Sequence, residues 1–218
     1  MISRLLLVLF FFLSFLHLIF ISSSPGLGFF TKPLLIPVLL GYYLLVQTIK
    51  HKSLIIALIA CWIGDCLLMF TEVHSTFFLA GLTAFLTGHI LYIFCFRTIT
   101  GPEKVQTPAL GYLLSILPVA LAGWLIGTLW SGLGSFQIPV LIYTLVIATM
   151  FLHAVRRLNR TNSKSFQILL SGAFLFMLSD SLLAYNMFGS SIPFSGLLVM
   201  STYLSAQYLI VKGVLEHN

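Results

Sequence analysis

Two aspartates, Asp65 and Asp180, stand inside long apolar segments in nearly the same local setting. One reads Ile63-Gly64-Asp65-Cys66-Leu67-Leu68, the other Leu178-Ser179-Asp180-Ser181-Leu182-Leu183. The chain holds only five acidic residues, and an ionised carboxylate near the middle of a bilayer costs about 3 kcal/mol or more. Packing does not account for two of them. Two carboxyl groups withdrawn from water and near each other titrate as a unit, one giving a proton while the other holds its charge. Proton transfer is the chemistry such residues supply, either in a reaction or along a transport path.

Further polar side chains fall at the same depth. His89 and Tyr92 lie at i and i+3 on one helix face, with Gly81 and Gly88 allowing a neighbouring helix to approach. Tyr203 and Gln207 lie at i and i+4, Tyr143 follows Pro139 by one turn, and Tyr185 and Asn186 close the segment that carries Asp180. Each alone fits an interhelical hydrogen bond or an interface aromatic. Four helices each offering a polar group beside two buried aspartates point instead to a cavity. Lys32 precedes Pro33, as in the first turn of a helix, where its ammonium either snorkels to the interface or meets a phosphate. Glu72 reads as a solvated loop charge, His51 and His74 as loop residues, and His17 and His153 as imidazoles near span ends within reach of water. His89, Asp65 and Asp180 are permissible zinc ligands, but one histidine with two aspartates is a thin set, and no metal is expected.

The elements that must hold these residues are membrane helices. A mean hydropathy of +1.08, with 59% hydrophobic and 7% charged residues, excludes a soluble domain. Continuous Leu/Ile/Phe runs, rather than two-residue alternation, exclude a barrel. Eight spans fit, roughly 4–21, 33–49, 53–70, 75–96, 108–126, 138–155, 165–187 and 193–213, joined by short loops. The chain reads as a single eight-span domain over residues 1–218. Residues 1–24 resemble a signal peptide, but the apolar run is long and no A-x-A-like site follows, so they are expected to form the first span.

Basic residues set the orientation. Arg4, Lys50, Lys52, Arg97, Lys104, Arg156, Arg157, Arg160, Lys164 and Lys212 fall on one side of an eight-span arrangement, and Lys32 alone on the other. The positive-inside rule then puts both termini in the cytoplasm. The formal charge of +6 is read as topology signals and anionic-lipid contacts, with no nucleic-acid partner. Trp124 and Trp130 read as interface-belt residues, and Cys61, Cys66 and Cys95 as apolar filling. Compact size and short loops fit a bacterial cytoplasmic membrane; oligomeric state is not legible.

The aspartates fall on the third and seventh spans, which run in the same direction. Ile36-Pro37-Val38-Leu39 recurs as Ile138-Pro139-Val140-Leu141, so the two halves suggest a four-plus-four parallel repeat. With a rise of about 1.5 Å per residue, Asp65 is expected about 7 Å and Asp180 about 10 Å below the outer surface, facing one cavity.

This arrangement resembles the YhhN family of integral membrane proteins, which includes the lysoplasmalogenases. The resemblance is carried by Lys32-Pro33, Gly64-Asp65, Gly88-His89-x-x-Tyr92, Pro139-x-x-x-Tyr143, Ser179-Asp180 and Tyr203-x-x-x-Gln207, and it spans Lys32 to Gln207. It implies an eight-span enzyme that hydrolyses the vinyl ether bond of lysoplasmalogens to a fatty aldehyde and glycerophosphoethanolamine or glycerophosphocholine. It makes Asp65 and Asp180 the catalytic pair. His89, Tyr92, Tyr143, Tyr203 and Gln207 would then orient water and glycerol oxygens, with Lys32 near the phosphate, and no cofactor is needed. Three other readings share the aspartates or the fold: a proton-coupled lipid or small-molecule transporter, a membrane lipid hydrolase using metal-bound water, and a non-catalytic lipid-binding scaffold.

Overall fold

The computed structural model describes residues 1–101 and 108–217. Their regular structure is helical: α1 (Ile2–Ser23), α2 (Pro25–Val46), α3 (Lys52–Leu68), α4 (Thr76–Thr98), α5 (Ala109–Leu129), α6 (Gln137–Val155), α7 (Ser163–Phe188) and α8 (Ser195–Leu215). Seven of these are long and apolar enough to cross a membrane. The remaining one, α3, has 17 residues, about 25 Å of helix, the short end of what can span. Large apolar side chains such as Phe12, Phe15, Leu113 and Ile116 point outward, which lipid accepts and water would not. The protein is an integral, multi-pass helical membrane protein.

The chain divides into two compact units, Met1–Cys95 and Phe96–Asn218, so the first holds α1 to α3 with most of α4 and the second the remaining helices. Lys104, one of the topology-setting basic residues, lies outside the described residues.

In the first unit α1 and α2 form a hairpin in which Ser24 alone ends one helix and begins the next. Helix α2 therefore starts earlier than the sequence suggests. Lys32 and Pro33 lie about two turns inside it rather than in its first turn, because Ser24 supplies the break. Pro33 and Pro37 both sit within α2. A proline has no N–H to give the carbonyl four residues back, so Pro37 leaves the carbonyl of Pro33 without its helical donor. The indole Nε1 of Trp62 in α3 donates to that oxygen at 2.8 Å, tying α2 to α3. Helices α3 and α4 close on glycines. A Cβ at Gly88 would come within 2.7 Å of Cys61 Sγ, and one at Gly64 within 2.7 Å of the Phe85 ring.

In the second unit α7 and α8 lie closest. A Cβ at Gly172 would fall 2.8 Å from the backbone nitrogen of Ile210, and one at Gly213 the same distance from that of Leu169. Leu125, Leu129, Leu133 and Val140 form a core that Tyr185 and Phe188 of α7 cover. At the other end, Arg157 is fully buried rather than a surface charge facing lipid. Its guanidinium donates to the hydroxyl of Ser165 at 2.8 Å and more weakly to its carbonyl at 3.4 Å. The Ser165 hydroxyl donates onward to Gly213 O at 2.6 Å. The turn between α6 and α7 is short enough to fold the fork back onto the start of α7. Asn162 caps α7 by accepting from Ser165 N at 2.8 Å.

Candidate active site

Each aspartate sits on a helix and has a polar partner on another helix of its own unit. Asp65 is 3% exposed and lies one turn from the end of α3, about 5 Å along the axis from Leu68, shallower in its helix than the sequence estimate. The Lys32 ammonium of α2 stands 3.6 Å from its Oδ1. The Lys32 side chain is 17% exposed and engages the aspartate, a contact the sequence reading did not include. An ion pair at that burial holds because both charges are present; removing either would leave the other poorly solvated.

Trp62 helps set that pairing. It is three residues before Asp65 in α3, and its bond lands on Pro33, the residue after Lys32. The indole thus pins the two helices beside the ion pair. Sequence reading passed over Trp62; the signal was the i, i+4 proline pair, which announces an orphaned carbonyl one turn back. His17 was also missed. It is 2% exposed, not within reach of water, and its Nδ1 lies 2.7 Å from the hydroxyl of Thr31, Lys32's chain neighbour. The tight α1–α2 hairpin encloses it.

On α4, His89 and Tyr92 are both fully buried, and His89 follows the glycine that meets Cys61. Gly64, the residue before Asp65, meets Phe85, one turn before His89. The glycine contacts therefore set Gly88, next to His89, against Cys61 of α3, and Phe85, one turn earlier in α4, against Gly64 beside Asp65.

Asp180 is half-buried on α7. The Tyr143 hydroxyl of α6 donates to its Oδ2 at 2.5 Å. Ser179 donates to Val199 O of α8 at 3.0 Å, fixing the backbone of α7 beside Asp180. Tyr203 and Gln207 are buried on α8, Tyr203 edge-on to Phe176 at 5.4 Å. Tyr185 and Asn186 make contacts that shape the end of α7. Tyr185 stacks on Trp124 at 5.8 Å, and Asn186 Oδ1 accepts from Ile192 N at 2.9 Å, closing the turn into α8.

These features define a multi-pass membrane protein with ionisable side chains held inside its helices, a placement that is costly without a function. Residues 27–214 match the model of the YhhN family, and the chain belongs to that family. It is similar to lysoplasmalogenase TMEM86B of Sus scrofa, 34% identical over 72% of this chain and 61% of that one. It also resembles lysoplasmalogenase TMEM86B of Homo sapiens, 31% identical over 73% and 62%, and lysoplasmalogenase TMEM86A of Bos taurus, 30% identical over 77% and 68%. The chain thus spans about three fifths of the length of the TMEM86B relatives. No solved structure is a significant match.

Proposed function

We propose that this protein is a lysoplasmalogenase-like membrane hydrolase that cleaves the vinyl ether bond of lysoplasmalogens. The observation that carries the reading is that both membrane-depth aspartates are held by polar partners, Lys32 and Tyr143, in a chain similar to proteins named lysoplasmalogenase. Vinyl ether hydrolysis needs what a carboxyl pair offers. A carboxylic acid protonates the β-carbon of the alkenyl chain, giving an oxocarbenium ion. Water adds to the cationic carbon and loses a proton to a base, and the hemiacetal collapses to the fatty aldehyde and the free glycerol hydroxyl. The proton spent in the first step returns in the second, so no net acid, oxidant or cofactor is consumed.

Asp65 and Asp180 are the carboxyl groups assigned to these proton transfers. Tyr143 orients the Asp180 carboxyl group. The Lys32 ammonium has three N–H donors, enough to hold Asp65 and a substrate phosphate oxygen together. His89, Tyr92, Tyr203 and Gln207 position water and the glycerol oxygens. The substrate is a lysophospholipid taken from the surrounding bilayer, and the N- and C-terminal ends face the cytoplasm.

Purified protein given a lysoplasmalogen should release free aldehyde. Asp65→Asn and Asp180→Asn should each lower turnover by about 10² to 10⁴, the usual contribution of a general acid or base, while leaving a folded, extractable protein. Near-normal aldehyde release from either variant would remove that residue from the mechanism.

A further inference from the structure

His17 is 2% exposed, and its Nε2 is buried with no hydrogen-bond partner among the described residues. Its other ring nitrogen is occupied. Nδ1 lies 2.7 Å from Thr31 Oγ1, and Thr31 Oγ1 lies 3.2 Å from the carbonyl of Gly28 in its own helix. A threonine hydroxyl has one proton, and in a helix it goes to a carbonyl three or four residues back. With the Nδ1–H assigned as the donor to Thr31, Nε2 of the neutral ring is left as an acceptor. A buried acceptor without a donor costs about 1–3 kcal/mol, so the position calls for a ligand that brings an N–H or O–H. The ring is well fixed for that purpose. Its Cε1 faces Gly28, where an added Cβ would stand 3.9 Å away, at van der Waals distance.

Thr31, which holds the imidazole, is the chain neighbour in α2 of Lys32, the partner of Asp65. A lysoplasmalogen bound there offers few donors. Its vinyl ether and ionised phosphate oxygens have none. An ethanolamine ammonium has N–H groups, but Lys32 repels it. The sn-2 hydroxyl remains, on the carbon next to the one that bears the vinyl ether oxygen. We infer that His17 Nε2 accepts a hydrogen bond from the sn-2 hydroxyl of the lysolipid, making His17 the residue that selects a lysophospholipid over its 2-acylated parent. This rests on the lysoplasmalogenase reading for the identity of the substrate. An sn-2 ester has no hydrogen to donate and adds a chain beside a closed hairpin, so the same atom rejects it twice over.

Binding tests this without turnover. The probes are a saturated 1-O-alkyl lysophosphocholine, which has no headgroup N–H and no vinyl ether, and its analogue with hydrogen in place of the sn-2 hydroxyl. Calorimetry on the purified full chain in detergent should show a preference of roughly tenfold for the hydroxylated lipid. His17→Asn keeps an amide near the Nδ1 position and can still meet Thr31, but loses the Nε2 position; it should melt near the wild-type temperature and show no preference. His17→Gln reaches the Nε2 position and should keep part of it. A wild-type protein that binds both lipids equally or neither, or a His17→Asn protein that retains the preference, overturns the assignment. Aldehyde release from the alkenyl lipid is read separately. A hydroxyl preference without aldehyde release upholds His17 and sinks the reaction, while aldehyde release without the preference does the reverse.

Discussion

Lys32 and Asp65 come from helices joined by a short loop, and what holds them in register is a bond neither makes. The two prolines of α2 are four apart, so the second removes the donor that the carbonyl of the first would have received. In lipid no water replaces it, and Trp62 does. Trp62→Phe keeps most of the ring and deletes the N–H. It should cost about 1–3 kcal/mol of stability, the penalty for a stranded buried acceptor, and lower kcat/KM through looser placement of the ion pair. Adding Pro37→Ala restores a backbone N–H four residues after Pro33, so the double variant should recover thermal stability toward wild type. If melting of the Trp62→Phe protein is unchanged, or the double variant is no better than the single, the indole is not what satisfies Pro33. The aspartates themselves were legible from their cost in a membrane, and Lys32 from its isolation among basic residues. Their partners were not, because a pair joined across helices has no fixed sequence spacing.

At the scale of helices, glycine decides how near neighbours come. Gly172 and Gly213 face backbone rather than flexible side-chain ends, so an added methyl forces α7 and α8 apart. Gly172→Ala and Gly213→Ala should each destabilise the protein by about 1–3 kcal/mol, as overpacking does. At Gly127 of α5 a Cβ would meet nothing within 4 Å, and Gly127→Ala should be neutral or stabilising by up to about 1 kcal/mol. Equal melting shifts in all three would show that close approach is not the reason for the glycines.

The end of α8 carries a pH-dependent tie. Glu216 meets Lys212 at 2.5 Å and Lys164 at 2.9 Å, and the hydrogen bond from Lys212, then that from Lys164, holds its carboxyl below the ordinary 4.5. A carboxyl lowered in the folded state adds stability above its unfolded value and loses it as pH falls through the folded one. The wild type should therefore melt slightly higher than Glu216→Gln near neutrality, and the gap should close below about pH 4 and shrink in high salt. A gap that persists in acid would mean that the contribution is not ionic.

For the whole molecule, orientation in the membrane is the testable property. Ten of eleven basic residues fall on one side of an eight-span arrangement, which requires α3 to cross despite its 17 residues. A cysteine placed at Ser131, between α5 and α6, should react with an impermeant thiol reagent added outside intact cells, and one at Lys50, between α2 and α3, should not. Labelling of Lys50→Cys from outside would overturn the arrangement. The boundary between the compact units, at Cys95 and Phe96, lies in the last turn of α4.

Composition and continuous apolar runs determined that this chain is a multi-pass helical protein, because lipid allows a spanning backbone few alternatives. The cost of burying charge singled out Asp65 and Asp180 from the sequence alone. Helix edges were legible to within a few residues where Leu, Ile and Phe dominate, and failed at α2, whose start is set by a one-residue turn at Ser24. Only the tertiary structure decided which polar groups meet: Lys32 with Asp65, Tyr143 with Asp180, Trp62 with Pro33, His17 with Thr31 and Arg157 with Ser165. Such contacts depend on the rotation and separation of packed helices. Those follow from glycines and proline-freed carbonyls on neighbouring elements, not from the residues that finally touch.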